Sequence, residues 1–127
     1  FSAAVSDYKV KKPSKIKLKK KEKFNLELEK NVDILNYVSN HNSLRPKLVV
    51  GFAAETNNMK DFANKKLNEK NCDWIVANDV SNTKIGFESD FNEVSIFYKN
   101  NKSDKLSYKT KSQISDELVE KIISHLN

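Results

Sequence analysis

Two continuous apolar runs flanking a helical stretch constrain the fold most. "LVVGFAAET" (48–56) and "DWIVANDV" (73–80) are separated by "NNMKDFANKKLNEKN" (57–71). Runs that are continuous rather than alternating suit parallel strands covered on both faces. In the intervening stretch Met59, Phe62, Ala63 and Leu67 fall on one helical face, and Asn57 or Asn58 is available as N-cap. Lys65, Lys66 and Lys70 gather towards the C-terminal end, where cations suit the helix dipole. The spacing predicts a strand–helix–strand unit with a right-handed parallel crossover.

A third run, "FSAAVSDY" (1–8), shares the pattern. The three runs close on Asp7, Glu55 and Asp79, and the last also on Asn78. In an open parallel sheet, ligands sit outside the carboxyl ends of the strands. If the runs are parallel neighbours, Asp7, Glu55, Asn78 and Asp79 share one rim, the candidate site. The alternative is that these residues are helix caps and turn formers, which strand ends also need.

Elsewhere the pattern is mixed. Phe24, Leu26 and Leu28 alternate with polar residues, predicting a strand with one wet face. Asn31 is a candidate N-cap for a short helix starting near Val32, with Leu35 and Val38 inward and Pro46 ending the connection. "SNTKIGFESDFN" (81–92) reads as a loop. "EVSIFYKN" and "KLSYKT" read as strands around the polar turn "NNKSD". From Thr110 onward the spacing predicts a helix. Thr110 and Gln113 fit a capping box, and Ile114, Leu118, Ile122 and Leu126 recur every four residues.

The 127 residues suffice for one domain with its own core. No apolar run approaches the roughly 20 residues of a membrane helix, and no signal peptide is visible. Cys72 is the sole cysteine, which excludes an internal disulfide and a cysteine metal cage and fits a reducing, cytoplasmic setting. Its bland reading is a small apolar residue beside a strand. The chain opens on Phe1, in what reads as mid-strand, so a piece of a longer chain or a processed product is expected. The net charge of +6 is local. Residues 9–23 hold nine lysines against Glu22 alone, a local +8, so the rest sums to −2. An anionic partner should meet that segment.

Several chemistries are excluded. With Gly51 and Gly86 the only glycines, neither G-x-G-x-x-G nor a P-loop is present. His41 and His125 lack Cys or carboxylates at ligand spacing, which argues against zinc. No serine stands in a nucleophile-elbow context. The lysine run has three readings: a solvated loop, a nucleic-acid-binding arm, or a mobile flap closing over a smaller phosphorylated ligand. Nucleic-acid modules interleave aromatics with their cations, whereas only Tyr8 and Phe24 flank this run.

Six ordered blocks, "AAVSDY", "PSKIK", "KNVDIL", "VVGFAAETNN", "KKLNEKNCDWIVANDVS" and "GFESDFNEV", span nearly the whole chain. Together they resemble the C-terminal part of the phosphopantothenoylcysteine synthetase family, the CTP-dependent phosphopantothenate–cysteine ligases of coenzyme A synthesis. "GFAAET" and "AND" carry most of the likeness.

The resemblance implies an α/β fold: a Rossmann-like three-layer domain with a mixed, mainly parallel sheet and an antiparallel strand near the C-terminus. It implies that residues 1–127 are the C-terminal part of such a domain, that the N-terminal part is absent, and that residues 9–23 form a basic mobile flap. It implies CTP as co-substrate, Mg²⁺, and 4′-phosphopantothenate and cysteine as the molecules joined. A homodimer is expected, with no membrane and no nucleic acid. FMN belongs to the reading only if a flavin-dependent decarboxylase (a lyase) precedes the domain in the parent chain.

By position, the family pattern assigns Ser2, Ala3, Asp7, Lys15, Val32, Asp33, Ile34, Leu35, Phe52, Lys66 and Lys70 to the nucleotide. Lys15 is the catalytic candidate, contacting phosphate from the flap and steadying the intermediate. Asn78 and Asp79 are assigned to site architecture, and the metal ligands are left unknown. Two departures bear on fine geometry: Leu18 stands where the family's K-x-K-K element ends in lysine, and Val32 where it usually has proline. The family's Gly-rich phosphate element and its Asn for converting the intermediate have no counterpart here, so these residues alone are expected to be inactive. Two other classes compete: a basic nucleic-acid or polyanion-binding module, and a plain structural or dimerisation domain.

Overall fold

A computed structural model describes residues 5–19, 25–55, 58–79 and 89–127. Its main sheet has four strands in the order β3 (Val50–Glu55), β4 (Trp74–Asp79), β5 (Phe91–Tyr98) and β6 (Ser103–Thr110). Two short strands, β1 (Tyr8–Val10) and β2 (Leu28–Lys30), pair antiparallel as a separate ribbon. The helices are α1 (Ile34–Ser39), α2 (Met59–Lys70) and α3 (Lys111–Leu126).

The expected strand–helix–strand unit with a parallel strand pair is present. β3 and β4 pair in parallel, from Val50 opposite Trp74 to Glu55 opposite Asp79, and α2 connects them. β4 is the covered central strand that its composition demanded: Trp74, Ile75, Val76 and Ala77 are all nearly inaccessible. On one face Val49, Ala53, Ile75, Ala77 and Phe97 pack with Ala63 and Leu67 of α2, and Leu35 of α1 closes the edge. On the other, Trp74, Val76, Val94, Ile96 and Leu106 pack against Ile114, Leu118 and Ile122 of α3. The protein is thus an α/β domain of three layers, α1 and α2, sheet, α3. The sheet is mixed: among the described residues one pairing is parallel and two, β4–β5 and β5–β6, are antiparallel.

The two ends of the crossover are pinned at its base. Arg45 donates from Nη2 to both Asp73 oxygens at 3.0 Å and to the Asn71 carbonyl, from Nη1 to the Pro46 carbonyl and from Nε to the Ser39 carbonyl. Asp73 also accepts the Val49 N–H at 2.8 Å. The entries to β3 and β4 are therefore held together by a half-buried ion pair.

Local chemistry explains the termini. The expected capping box of α3 forms: Thr110 Oγ1 accepts the Gln113 N–H, and Gln113 Oε1 accepts the Thr110 N–H. The β5–β6 turn places Asn101 at φ 63°, a left-handed conformation that Asn tolerates. Asn71 ends α2 in the same region, as C-terminal caps commonly do.

Other expectations are corrected. Of "FSAAVSDY", residues 1–4 lie outside the described residues, and Val5, Ser6 and Asp7 are not in a strand; β1 begins at Tyr8 and joins the ribbon. Phe24 is outside the described residues, while Leu26 and Leu28 are exposed, because no helix or sheet layer covers the ribbon among the described residues. α1 starts at Ile34, and its N-cap is Asp33, not Asn31. Asn58 does cap α2, but its left-handed backbone (φ 47°) leaves its side chain without a cap hydrogen bond. Phe62 remains 45% exposed at the margin of the buried face. Phe91 and Asn92, read as loop, open β5, and residues 81–88 of that segment lie outside the described residues. Among the described residues no helix is long and apolar enough to cross a membrane.

Candidate functional site

A cavity of about 660 Å³ lies between the ribbon, α1, α2 and β3. Its size is that of a small-molecule site. The approach to β1 contributes Asp7, the start of α1 contributes residues 32–35, and α2 contributes Lys66 and Lys70. Phe52 of β3 and Ile75 of β4 complete the wall.

The α1 wall owes its shape to Asp33. Its extended backbone (φ −78°, ψ 97°) lets Oδ1 accept the Asn36 N–H at 2.9 Å. The other carboxylate oxygen accepts from Lys70 of α2, joining the two helices across the cavity. Partial burial pulls the Asp33 carboxyl upward. The Lys70 hydrogen bond, the Asn36 N–H and the Lys70 charge outweigh it, so the group stays below its usual range. Lys70 is raised, chiefly by its bond to Asp33 against the opposing burial, with Asp33, Asp7 and Glu69 adding their charges.

The β3 wall owes its shape to Gly51. A Cβ there would stand 2.6 Å from Leu35 Cδ2 and 2.9 Å from Ile75 Cδ1. The missing side chain lets Leu35 lie flat against the sheet, bringing the start of α1 beside Phe52.

Of the residues singled out in the sequence, Asp7, Val32, Asp33, Ile34, Leu35, Phe52, Lys66 and Lys70 all line this one cavity. Lys15 does not: it is exposed in the irregular stretch after β1. Ser2 and Ala3 lie outside the described residues. Asn78 is half-buried in β4, between Ala54 and Val94, and does not line the cavity. The backbone of Asp79 pairs with Glu55, so the two strand ends do meet, while their side chains lie outside the described residues. Sequence reasoning missed Ser6, Asn31, Asn36 and Ile75 as cavity-lining residues, although the "KNVDIL" block contains Asn31 and Ile75 stands in the run "DWIVANDV". Among the described residues no group of three or more His, Cys, Asp or Glu could hold a metal ion.

A three-layer α/β domain with a carboxylate- and lysine-lined cavity beside a parallel strand pair defines a broad class of small-ligand-binding folds. Comparison with known proteins narrows it. Residues 1–126 match the DNA/pantothenate metabolism flavoprotein C-terminal domain family, and the chain belongs to that family. It is 43% identical over 122 residues to the coenzyme A biosynthesis bifunctional protein CoaBC of Haemophilus influenzae, covering 95% of this chain and 30% of that protein. To CoaBC of Bacillus subtilis it is 39% identical over 122 residues, and to that of Escherichia coli 38% over 127, again with 30% of each relative covered. Among solved structures, the C-terminal domain of CoaBC superposes with a TM-score of 0.64 at 35% identity, covering 79% of this chain and 47% of that one. A DNA/pantothenate metabolism flavoprotein from Streptococcus pneumoniae gives 0.62 at 28% identity, covering 80% and 42%. The chain therefore spans under a third of the curated relatives' length. The resemblance read from the six sequence blocks is borne out.

Proposed function

We propose that this chain is the nucleotide-side portion of a CTP-dependent phosphopantothenate–cysteine ligase acting in coenzyme A biosynthesis. The observation that carries the reading is the cavity itself. Asp7, residues 32–35, Phe52, Lys66 and Lys70 come from four separate stretches of sequence, and all face one space of nucleotide-compatible volume.

The chemistry follows from the weakness of a carboxylate as an electrophile. The 4′-phosphopantothenate carboxylate attacks the α-phosphorus of CTP, and pyrophosphate departs. In the acyl-cytidylate the carbonyl then carries a good leaving group. The cysteine amine attacks it, an amide forms, and CMP leaves. Two phosphorylated substrates repel each other, so cations have to screen them. Lys66 and Lys70 would face the nucleotide from α2. Lys15 would reach the phosphates from the exposed segment after β1, on closure over the cavity. Phe52 and Leu35 supply apolar surface against the nucleoside. Asp33 serves mainly to hold Lys70 and the start of α1, since both its oxygens already accept hydrogen bonds. Asp7 retains a carboxylate on the cavity wall, and Mg²⁺, bound chiefly by phosphate oxygens and water, would supply further charge neutralisation.

On this reading the protein works in the cytoplasm, as a homodimer within a longer chain. The 127 residues bind CTP without turnover, since no Gly-rich phosphate element is present among them. In a melting assay CTP should protect the fold better than ATP or sulfate, and Lys15→Gln should reduce that protection. Equal protection by all three ligands would refute the nucleotide reading, and product formed from CTP, 4′-phosphopantothenate and cysteine would refute the inactivity.

A second reading draws on the exposure of residues 11–19. A basic arm of this kind would bind single-stranded oligonucleotides with a steep salt dependence. Absence of oligonucleotide binding at low salt would dismiss it.

A further inference from the structure

The root of the lysine segment is tied to the cavity by one residue that no assignment above includes. The Asn31 backbone N–H donates to the Asp7 carbonyl at 2.8 Å. Its side-chain Nδ2 donates to the Ser6 carbonyl at 3.1 Å. Its Oδ1 accepts the Val32 N–H at 3.0 Å. Residues 6 and 7 enter β1 and residue 31 leaves β2, so these bonds close the ribbon where Tyr8 stands opposite Lys30. All of the linked residues line the cavity. Asn31 is a member of neither core cluster.

We propose that Asn31 is a positioning residue for the nucleotide site: its amide locks the segment bearing Asp7, just ahead of β1, to the stretch bearing Val32 and Asp33. The inference rests on the nucleotide reading above and deepens it. An amide suits the task because it donates in one direction and accepts in the other, both in one plane. Leucine has nearly the same shape and can do neither. Asp7 and Asp33 stand on opposite sides of this joint, so loosening it changes the width of the site at the base and ribose wall. Lys66 stands on α2, which none of these three bonds reaches, so a bare phosphate held there does not depend on it.

The test uses the full 127-residue chain with Asn31→Ala and Asn31→Leu. Affinities for CTP and for inorganic pyrophosphate are measured well below the melting temperature. Amide exchange is followed at Tyr8–Val10, Leu28–Lys30 and Trp74–Asp79. The expected result is CTP binding weakened about tenfold with pyrophosphate binding unchanged, and exchange accelerated in the ribbon but not in β4. Unchanged CTP affinity overturns the proposal. So does a parallel loss of both ligands together with the melting temperature, which a merely structural role would produce. If the unsubstituted chain binds no CTP, the nucleotide reading itself fails. The Asn31 joint is then judged by exchange alone, and unaltered ribbon protection overturns it.

Discussion

Lys70, in the last turn of α2, donates to the carboxylate of Asp33, the residue that caps α1. One aspartate thus satisfies a helix terminus and a cation from an element 37 residues away. Replacing it with alanine removes both, and Asp33→Ala should cost about 1 kcal/mol at neutral pH, the usual cost of a lost cap. The sign of the pH dependence follows from the depressed carboxyl. Its contribution is complete above the unfolded value of 3.8 and is lost as pH falls through the lower folded value. Lys70, being raised, contributes below 10.5 and stops contributing as pH rises through its folded value. Urea unfolding of the protein and of Asp33→Ala from pH 7 to strongly acid solution should give converging curves; divergence towards acid would contradict the assignment.

Gly51 makes room for Leu35. Gly51→Ala would drive a methyl against Leu35 Cδ2 and Ile75 Cδ1. Both are ends of side chains that can turn, so the expected cost is about 1–2 kcal/mol rather than loss of the fold. Leu35→Ala costs stability by itself, but in the Gly51→Ala background it also relieves the clash. A double-mutant cycle should therefore show the pair losing less than the sum of the single changes. Strict additivity would mean that the methyl is accommodated elsewhere.

The Arg45–Asp73 pair should depend on the shape of the guanidinium more than on its charge. Arg45→Lys keeps the cation but loses the two-oxygen contact and the bonds to the Ser39, Pro46 and Asn71 carbonyls. We expect Arg45→Ala to cost about 2 kcal/mol, in the range of hydrogen bonds to charged groups. Lysine should recover less than half of that. Full recovery by lysine in denaturant midpoints would show that charge alone holds the strand entries.

Tyr98 donates to Asp104 Oδ2 at 2.8 Å, and Lys121 donates to the same oxygen at 2.6 Å. Burial, then the Asp104 hydrogen bond and charge, push the Tyr98 phenol well above its ordinary value of 10. Ultraviolet titration, with Tyr98→Phe to identify the signal, should find Tyr98 still protonated at pH 10. Asp104→Asn should lower its transition only in part, because burial remains. An unchanged transition in Asp104→Asn would place the whole effect on burial.

Much of the fold was legible because it depends on neighbours in the chain. Thr110 and Gln113 are three residues apart, and their capping box forms as the spacing required. The stretch "EVSIFYKN" ahead of the polar turn made β5 readable, and the unbroken run of β4 marked it as covered on both faces. Asn31 and Asp33 are both good N-caps by residue type. Which one serves was settled by partners distant in sequence: Ser6 and Asp7 engage Asn31, while Lys70 engages Asp33. Apolar alternation at Leu26 and Leu28 suggested a buried face, but burial needs a covering layer, and no local pattern announces that one is lacking. The cavity residues came from the family likeness residue by residue; spacing alone had pointed to the ends of the strands.

The sequence by itself determined the kinds of element and their order, since backbone propensity, caps and hydrophobic period act over a few residues. Only the tertiary structure decided that Asp7, Asp33, Phe52 and Lys70 share one space, and that Lys15 stands outside it. Those placements depend on how α1 and α2 settle on the sheet. That packing is fixed by burial summed over Leu35, Ala63, Leu67 and Ile75 together, a quantity that no single stretch of the chain contains.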